Sequence, residues 1–365
     1  MRSQVNIISV ILLLSVSMVL ISCQNQKNEW KGTIEEVNGV TVIKNPKEPM
    51  YKDDAFSLEE ELSIGEAERK EEYMFSSIRA VAVNDKEDVY IVDAKENHIK
   101  MFDKNGDYLK TIGRTGQGPG EFNQITNIQI TPENELIVHD RYTRRLIFFS
   151  LEGDYLRTVL LKEIQASIIN VNPKGNYLVK TYVFDSPPLR FATELKVYSP
   201  DLAFIRTIAK DKFWNANVPL QPHMALVFLP SDLIICGSRE SYEFKILDSE
   251  GKTVRKVSKD YVPIEINEEE KKKRRLAQIS ELPRFFPAFQ DFSVDEEGRI
   301  FVQTFERYED EEKFYFDVFN TEGKYIAKVA LNALPQCWKN RKMYTIEEDE
   351  DGYQYIKRYK LIWKY

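Results

Sequence analysis

The fold is decided by the stretch Asp88-Val-Tyr-Ile-Val-Asp93, His98-Ile-Lys-Met-Phe-Asp103 and Asp107-Tyr-Leu-Lys-Thr-Ile112, because the chain repeats it. The next copy reads Glu135-Leu-Ile-Val-His-Asp140, Arg145-Leu-Ile-Phe-Phe-Ser150 and Asp154-Tyr-Leu-Arg-Thr-Val159. Short apolar runs separated by Asp, Asn and Gly predict β-strands joined by tight reversals.

Three further units keep the spacing with fewer shared letters. The last turn of each unit falls at Gly106, Gly153, Leu202, Gly251 and Gly323, at intervals of 47, 49, 49 and 72 residues. Four short strands per unit and a period of about 48 residues are typical of β-propeller blades. The sequence therefore predicts a ring of blades.

The sixth unit is incomplete at the C-terminus. It contains three runs, Tyr344–Ile346, Tyr353–Ile356 and Tyr359–Trp363, and no fourth strand follows. Near the N-terminus, Val40–Ile43 is a strand that no unit uses. We expect it to pair with the last blade and remove an exposed sheet edge. The predicted fold is an all-β, six-bladed propeller of four-stranded blades, spanning residues 36–365 and closed by an N-terminal strand.

Composition agrees with an all-β globular chain. The 365 residues are 42% hydrophobic and 12% aromatic, which excludes disorder and a multi-span membrane protein. With 51 basic and 58 acidic residues the formal net charge is −7, which argues against nucleic-acid binding.

The first 22 residues predict a signal peptide. Arg2 is followed by an apolar run from Val5 to Ile21, short for a membrane span. The sequence Leu20-Ile-Ser-Cys23 resembles the bacterial lipobox, which implies lipidation of Cys23 and a lipidated tether over residues 23–35. An uncleaved anchor helix is the alternative. No Asp follows Cys23, which favours the outer membrane. The side of the membrane on which the domain lies stays open.

Two cysteines remain besides Cys23. An exported chain can form a disulfide between Cys236 and Cys337. Cys236, however, lies in the apolar run Leu233-Ile-Ile-Cys236, where a buried free thiol is the favoured interpretation.

The motifs also carry a family resemblance. Val89–Asp93, His98–Gly106 and the connector Gly113-Arg-Thr-Gly-Gln-Gly-Pro-Gly-Glu-Phe122 resemble an NHL repeat. The whole chain resembles the six-bladed β-propeller lipoproteins of gut-type bacteria. The resemblance implies the fold and a lipid anchor. It does not imply an activity, since propellers serve as enzymes, scaffolds and binding modules.

The longest interval between units holds an insertion over about residues 262–287. Asn267 is a candidate N-cap, and Glu268, Glu269 and Glu270 stand four residues before Lys272, Lys273 and Arg274. With an apolar stripe of Leu276, Ile279 and Leu282, this pattern predicts a helix that Pro283 ends and that lies before the fifth full repeat.

Blade-to-blade connectors and loops after second strands share one side of such a ring, here called the connector face. Arg and aromatic residues recur in these segments, and such groups bind anionic groups and stack on sugars. The alternative is that the Arg residues pair with local acids such as Glu240 and Glu306. The candidate ligand-binding residues are Arg141, Tyr142, Arg144, Arg190, Trp214, Arg239, Tyr242, Arg307 and Tyr308.

Catalytic motifs are scarce. His98, His139 and His223 occupy different positions in their repeats, so we do not expect a shared zinc site. Asp93 and Asp140 are the candidates for an axial calcium of the kind that six-bladed lactonase-like enzymes hold.

Three functions follow from these patterns. The favoured hypothesis is a lipid-anchored envelope protein that binds a glycan, peptide or protein and needs no cofactor. A metal-dependent, lactonase- or lyase-like enzyme with calcium is the first alternative. A structural subunit of an envelope complex is the second.

Overall fold

A computed structural model describes residues 29–51, 55–65, 70–162, 164, 166–172, 174–186, 189–229, 231–274, 276, 278–279, 281–306 and 313–364. It is nearly all β, with six sheets arranged as blades in a ring, as predicted. One α-helix and one 3₁₀ turn, Glu71–Tyr73, lie in the described residues.

Each blade is an antiparallel meander of four strands. Blade 1 contains β4 (Ile78–Val83), β5 (Val89–Asp93), β6 (His98–Phe102) and β7 (Tyr108–Ile112). Blade 2 contains β8 (Ile125–Ile130), β9 (Glu135–Asp140), β10 (Arg145–Ser150) and β11 (Tyr155–Leu160). Blade 3 contains β12 (Ile168–Val171), β13 (Tyr177–Asp185), β14 (Arg190–Tyr198) and β15 (Phe204–Lys210), with β16 (Trp214–Asn215) added to β14.

The second half of the ring has additional strands from the N-terminus. Blade 4 contains β17 (Ala225–Phe228), β18 (Ile234–Gly237), β19 (Glu243–Leu247) and β20 (Thr253–Lys259), extended by β1 (Thr33–Val37) and β2 (Val40–Asn45). Blade 5 contains β21 (Phe292–Val294), β22 (Ile300–Gln303), β23 (Phe314–Phe319) and β24 (Tyr325–Leu331). Blade 6 contains β25 (Pro335–Lys339), β26 (Lys342–Glu348), β27 (Gln354–Trp363) and β3 (Phe56–Ile64).

In the described residues the blades are joined by six apolar clusters, one between each pair of neighbouring blades. In the inner strands of the blades, successive side chains point to opposite faces of the sheet and so into the two adjacent clusters. The cluster that joins blade 6 to blade 1 contains Ile64, Tyr344 and Ile356 from blade 6 and Ile91 and Phe102 from blade 1. The ring is therefore closed by the same apolar packing that joins the other blades.

An N-terminal strand completes the last blade, as predicted, but the predicted segment was wrong. The closing strand is β3, which pairs antiparallel with β27 from Phe56↔Trp363 to Ile64↔Ile356. Val40–Ile43 instead lies in β2, which pairs in parallel with β20 of blade 4. Both segments are apolar strands, and sequence pattern alone does not distinguish which sheet edge each one meets.

Residues 29–51 and 55–64 together form a strap around the outside of blades 4, 5 and 6. The buried Asn45 side chain joins blades 4 and 5: its amide donates to the carbonyls of Ser258 and Gly323, and its Oδ1 accepts from Tyr325 N at 2.7 Å. Trp30 also donates to Asn45 Oδ1, at 2.9 Å. The folded part therefore already includes Trp30 and β1, so the tether boundary drawn at residue 35 falls inside a strand.

The turn between third and fourth strands has the same geometry in successive blades. In blade 1, Asp103 Oδ1 accepts from the amides of Asn105 and Asp107, and Gly106 has φ +85°. Glycine recurs at this position because left-handed backbone is readily available to it. Leu202 takes the position in blade 3 with φ 65°.

The insertion contains a helix shorter than predicted. α1 spans Glu268–Lys273, with Asn267 Oδ1 accepting from Glu270 N at 2.8 Å as the N-cap pattern predicts. The helix ends ten residues before Pro283, because Arg274 leaves helical geometry and its guanidinium contacts Glu270 and the Phe305 carbonyl. Leu276 and Leu282 still pack against a small cluster of Ile266, Phe286 and Phe305, and that cluster holds the insertion on the connector face.

Both described cysteines are free, and Cys236 is buried in β18 as its apolar run predicts. Among the described residues, no helix has the length and apolar character that crossing a bilayer requires.

Candidate functional site

The predicted residues of blade 2 lie on an exposed turn of the connector face. Arg141 and Tyr142 extend into solvent, and Tyr142 is 75% exposed. Arg144 has φ 52° and reaches the Lys162 carbonyl at 3.4 Å. These three side chains are available for binding.

The turn is supported by Asp140. Its carboxylate accepts from the amides of Asn123 and Gln124 at 2.9 and 3.1 Å, and from Arg145 at 3.1 Å. These contacts hold the pKa of Asp140 below its usual range, although burial opposes them. In blade 1, Asp93 does the same for the amides of Ser76 and Ser77. Both proposed calcium candidates thus hold the chain that enters the inner strand of their blade.

Arg190 lies in a strand rather than in the predicted loop. β13 and β14 extend the blade 3 hairpin beyond its neighbours, and Trp214 pairs with this extension through β16. Arg190 forms an ion pair with Asp185.

Trp214 is buried, and its Nε1 donates to Asp211 Oδ2 at 2.9 Å. Lys212 Nζ lies 4.3 Å from the Trp214 ring centroid. The Trp214 ring is therefore part of the packing beneath the extension and not an open stacking platform.

Tyr242 also lies in the core, contrary to its predicted surface role. It is 3% exposed, and its hydroxyl donates to Asp317 Oδ2 at 2.5 Å. Asp317 accepts further from Tyr325 at 2.6 Å and from Lys259 at 2.8 Å. Tyr242 is drawn inward because its ring fills the interface between blades 4 and 5 while its hydroxyl satisfies a buried carboxylate. Arg307 and Tyr308 lie outside the described residues.

Arg239 connects the segments that enter blades 4 and 5. Its guanidinium donates to the carbonyl of His223 at 2.7 Å, to that of Gln290 at 2.7 Å and to that of Gln221 at 3.2 Å. One terminal nitrogen also lies 2.8 Å from His223 Nδ1. The predicted pairing with an acid is thus replaced by pairing with backbone carbonyls, and Arg239 has little capacity left for a ligand.

A charged cluster forms around Arg239. Lys180 of blade 3 and Asp291, which precedes the inner strand of blade 5, act electrostatically on each other, and the Arg239 charge acts on both. Blades 3 and 5 are separated by blade 4, so residues from both approach one another only near the ring axis. The structure therefore places Lys180, His223, Arg239 and Asp291 together at the axial end of the connector face. We call this group the axial cluster.

The axial cluster has shifted proton affinities. Desolvation lowers the pKa of Lys180, and the Arg239 charge lowers it further while Asp291 opposes. Desolvation raises the pKa of Asp291 against the two cations. Desolvation, with Arg239 and Lys180 nearby, lowers the pKa of His223 to about 4, so its imidazole is neutral at pH 7. Shifts of this kind concentrate at functional sites.

Lys180 is the cluster member with free binding capacity. Its half-buried ammonium has no hydrogen-bond acceptor among the described residues and lies 5.9 Å from the Tyr182 ring centroid. Asp291 keeps part of its surface in solvent although neighbouring groups desolvate its carboxyl group, whose Oδ1 accepts from Phe292 N at 2.9 Å. An ammonium beside a neutral imidazole and a carboxyl group can pair with an anionic group and donate to neighbouring hydroxyls.

The repeat holds a signal for Lys180 that the recurrence of Arg and aromatic residues does not reveal. The first residue of each inner strand pairs with Asp93 in blade 1, Asp140 in blade 2 and Lys180 in blade 3. In blade 3 the Lys180 carbonyl, rather than its side chain, accepts the entering amide, from Ser167 at 2.9 Å. The Lys180 side chain therefore does not have to hold the entering chain, as the side chains of Asp93 and Asp140 do in blades 1 and 2.

The three histidines do not form a metal site in the described residues. His98, His139 and His223 belong to blades 1, 2 and 4, and the described residues contain no group of three His, Cys, Asp or Glu arranged to hold a metal.

A separate cleft of about 560 Å³ lies between blades 5 and 6 and is lined by Lys313, Phe314, Leu334, Ile346, Glu347 and Glu348, among others. None of the axial residues lines it.

Comparison with known proteins agrees with the fold. A family model described as a domain of unknown function (DUF4934) matches residues 66–212, which contain blades 1 to 3. No curated protein matches the chain. BF0058 of Bacteroides fragilis, which is thought to be exported, is 11% identical with a TM-score of 0.56, covering 89% of this chain and all of that one.

A member of the DUF4221 family from Bacteroides vulgatus is 12% identical with a TM-score of 0.52, covering 86% of this chain and all of its own. Virginiamycin B lyase from Staphylococcus aureus is 10% identical over 84% of this chain, with a TM-score of 0.47, and adds nothing to the functional argument. At these identities the likeness concerns the fold alone.

Proposed function

We propose that the chain is an exported, lipid-anchored binding protein whose connector face takes a ligand bearing an anionic group at the axial cluster. The observation that carries the proposal is the half-buried Lys180 ammonium of the axial cluster, which has no hydrogen-bond acceptor among the described residues. A half-buried cation of this kind gains a strong partner when a carboxylate, phosphate or sulfate replaces its water.

The surroundings favour a polar ligand of some size. Arg141, Tyr142 and Arg144 lie on the neighbouring blade and add two cations and one exposed ring. The blade 3 extension carries an exposed Phe184 and Leu189 beside this face. Arg and Tyr side chains on a rigid scaffold suit an acidic glycan, an acidic peptide or a protein surface.

The test is an array of acidic and neutral oligosaccharides probed with the purified chain. Lys180→Ala should remove binding to the acidic members, and Arg141→Ala with Arg144→Ala should weaken it, with unchanged melting temperature in both variants. Lys86→Ala is the matched control, since Lys86 is exposed on a turn of the opposite face. Binding that survives Lys180→Ala would exclude the axial cluster as the ligand site.

The membrane part of the proposal depends on Cys23, which lies outside the described residues. Its support is the lipobox-like Leu20-Ile-Ser-Cys23 and the export attributed to BF0058. We expect the chain to partition into the detergent phase of a Triton X-114 separation and Cys23→Ser to move it to the aqueous phase. An anchored Cys23→Ser chain would favour an uncleaved helix instead.

Enzymatic action is the second candidate, and the opposed pKa shifts of Lys180 and Asp291 favour it. Groups whose proton affinities converge can exchange protons with a substrate. Metal analysis of the purified chain distinguishes the metal-dependent form: stoichiometric calcium or zinc would count against a simple binding protein. A structural subunit predicts instead that one envelope protein copurifies reproducibly.

A further inference from the structure

The innermost strands of blades 6, 1 and 2 begin with the same irregularity. Each strand pairs with the second strand of its blade, but a β-bulge skips one residue near the end at which the chain enters. The skipped residues are Gln336 in β25, Arg79 in β4 and Thr126 in β8. A bulge leaves its extra residue without a ladder partner and changes the direction of its side chain.

The neighbours of Arg79 fill both faces of its strand. Ile78 and Val81 pack into the cluster between blades 6 and 1, and Ala80 packs into the cluster between blades 1 and 2. Arg79 belongs to neither cluster, and it is exposed. Because β4 is the innermost strand of blade 1 and contacts the innermost strands of blades 6 and 2, its entry end lies beside the ring axis. Arg79 therefore presents its guanidinium at the axial end of the connector face.

Arg79 is the bulge residue with free binding capacity. Within the part of the chain that the structure describes, its side chain forms neither an ion pair nor a hydrogen bond. The other two bulge residues bind their own chain: Thr126 Oγ1 donates to the His139 carbonyl at 3.2 Å, and Gln336 Nε2 donates to the Leu334 carbonyl at 3.3 Å. A guanidinium that has no structural partner can take a ligand without breaking a contact of the fold.

Arg79 and Lys180 reach the axial end of the connector face from different directions. Lys180 is the cation of the axial cluster that has no hydrogen-bond acceptor among the described residues. The two residues belong to blades 1 and 3, which blade 2 separates. In a ring of six blades, two such blades face the axis from directions about 120° apart. An anionic group on the axis would therefore meet the guanidinium on one side and the ammonium on another.

This arrangement favours one class of anionic group. A guanidinium donates two parallel hydrogen bonds to two oxygens of one group, and a carboxylate has only two oxygens, which lie in one plane. A sulfate or phosphate ester is tetrahedral and has three terminal oxygens. It can therefore occupy the guanidinium fork and still direct a third oxygen to an ammonium that approaches from elsewhere.

We propose that Arg79 is a second binding residue of the axial site, and that Arg79 and Lys180 together hold a sulfate or phosphate ester of the ligand; this rests on the proposed function and identifies its anionic group. The guanidinium of Arg79 orients the ester through two parallel bonds, and the Lys180 ammonium binds the remaining oxygen as a point charge. A carboxylate in the same place engages one of the two cations and is held more weakly.

The test compares glucose 6-sulfate, glucose 6-phosphate and glucuronate, which differ in the anionic group at one end of the same sugar. Isothermal titration calorimetry uses the purified full chain in mild detergent. At pH 5 each sugar carries about one negative charge, because the second pKa of a phosphate ester is about 6, so shape alone distinguishes them. We expect at least one ester to bind about tenfold or more tightly than glucuronate, and the tighter ester identifies the group. Glucuronate that binds as tightly as both esters, or two esters that do not bind, would overturn the proposal.

The decisive variant is Arg79→Ala. We expect about tenfold weaker binding of the tighter ester with an unchanged melting temperature, because the side chain is exposed and makes no contact that the fold needs. The matched control is Arg284→Ala, which removes a guanidinium that is 75% exposed in the insertion on the same face and should bind the ester normally. Equal loss in the control would overturn the proposal.

Lys180→Ala separates the role of Arg79 from the proposed function. If Arg79 and Lys180 hold one group, both single variants bind the ester about tenfold more weakly than the unmodified chain. Loss in Lys180→Ala with normal binding in Arg79→Ala would overturn the role of Arg79 and leave the proposed function in place. Normal binding of acidic oligosaccharides and of the ester in both variants would overturn both.

Discussion

Asp317 is the residue on which the interface between blades 4 and 5 depends. It is fully buried and accepts from Lys259, Tyr242 and Tyr325, and the positive charges of Lys259 and Lys328 hold its pKa below the usual range although burial opposes them. Asp317→Ala would leave Lys259 buried without compensation, and we expect it to lower the free energy of unfolding by about 3–5 kcal/mol. Guanidinium unfolding measures the effect.

The control for this prediction is a carboxylate that is exposed. Glu268 pairs with Lys271 on the surface of α1 with its side chain 89% exposed, and Glu268→Ala should change the stability by less than about 1 kcal/mol. Equal effects of the two substitutions would contradict the role assigned to Asp317.

His139 makes the stability depend on pH. Burial lowers its pKa to about 4, and its ring lies 3.2 Å from the Thr126 hydroxyl. Above pH 6.5 both folded and unfolded chains hold a neutral imidazole. Between pH 6.5 and 4 the imidazole of His139 binds a proton in the unfolded chain but not in the folded chain. The free energy of unfolding therefore falls with falling pH, by roughly 3 kcal/mol in total.

His139→Asn should remove that share of the pH dependence. Denaturant unfolding at several pH values between 7.5 and 4 gives two curves, which we expect to converge as the pH falls. Parallel curves would show that His139 keeps an ordinary proton affinity in the folded chain.

The single residues also show where sequence reasoning stops. The recurrence of Arg and aromatic residues led to nine candidates, of which Tyr242 and Trp214 lie in the packing because their polar atoms meet Asp317 and Asp211. The sequence did not indicate Lys180 as a candidate, although it stands at the position of Asp93 and Asp140 in the repeat. The Lys180 side chain is free of a structural role because its backbone carbonyl accepts the hydrogen bond from Ser167 N. The sequence does not show which backbone group makes such a bond.

At the scale of elements, strand type was predictable and strand pairing was not. The alternating runs and Gly turns indicated the four strands of each blade, since local periodicity and turn chemistry determine them. The partner of Val40–Ile43 was wrong because the outer edges of several blades offer similar apolar strands. The helix in the insertion was overextended because charge pairing stabilises one turn as well as four.

The closing strand can be tested by a disulfide. Ser57 and Ile362 are directly opposite in the β3–β27 register, at a separation suitable for a bond. Ser57→Cys with Ile362→Cys should oxidise readily, and mass spectrometry of the digested chain would detect the cross-linked peptides. The control pair, Thr41→Cys with Ile362→Cys, tests the pairing first expected for β2 and should stay reduced. The opposite result would restore that expectation.

At the scale of the molecule, the six-bladed ring could be predicted because the number of repeats determines the number of blades. The axial cluster was not readable, because Lys180 and Asp291 meet only through the rotation that places blades 3 and 5 on either side of blade 4. The outer edges of the blades also differ between the two halves of the ring, and the repeat does not predict this difference. One N-terminal segment is long enough to cover blades 4 to 6 and leaves blades 1 to 3 open.

This asymmetry predicts a pattern of hydrogen exchange. Among the fourth strands of the blades, β20 is paired on both sides through β19 and β2, whereas β7, β11 and β15 are paired on one side in the described structure, so about half of their amides face outward. We expect the fourth strands of blades 1 to 3 to exchange much faster than β20 in the isolated chain. Innermost strands serve as the internal control, since every blade contains one. Equal exchange of β7, β11, β15 and β20 would mean that the outer edges of blades 1 to 3 are already covered, which would contradict the asymmetry of the strap.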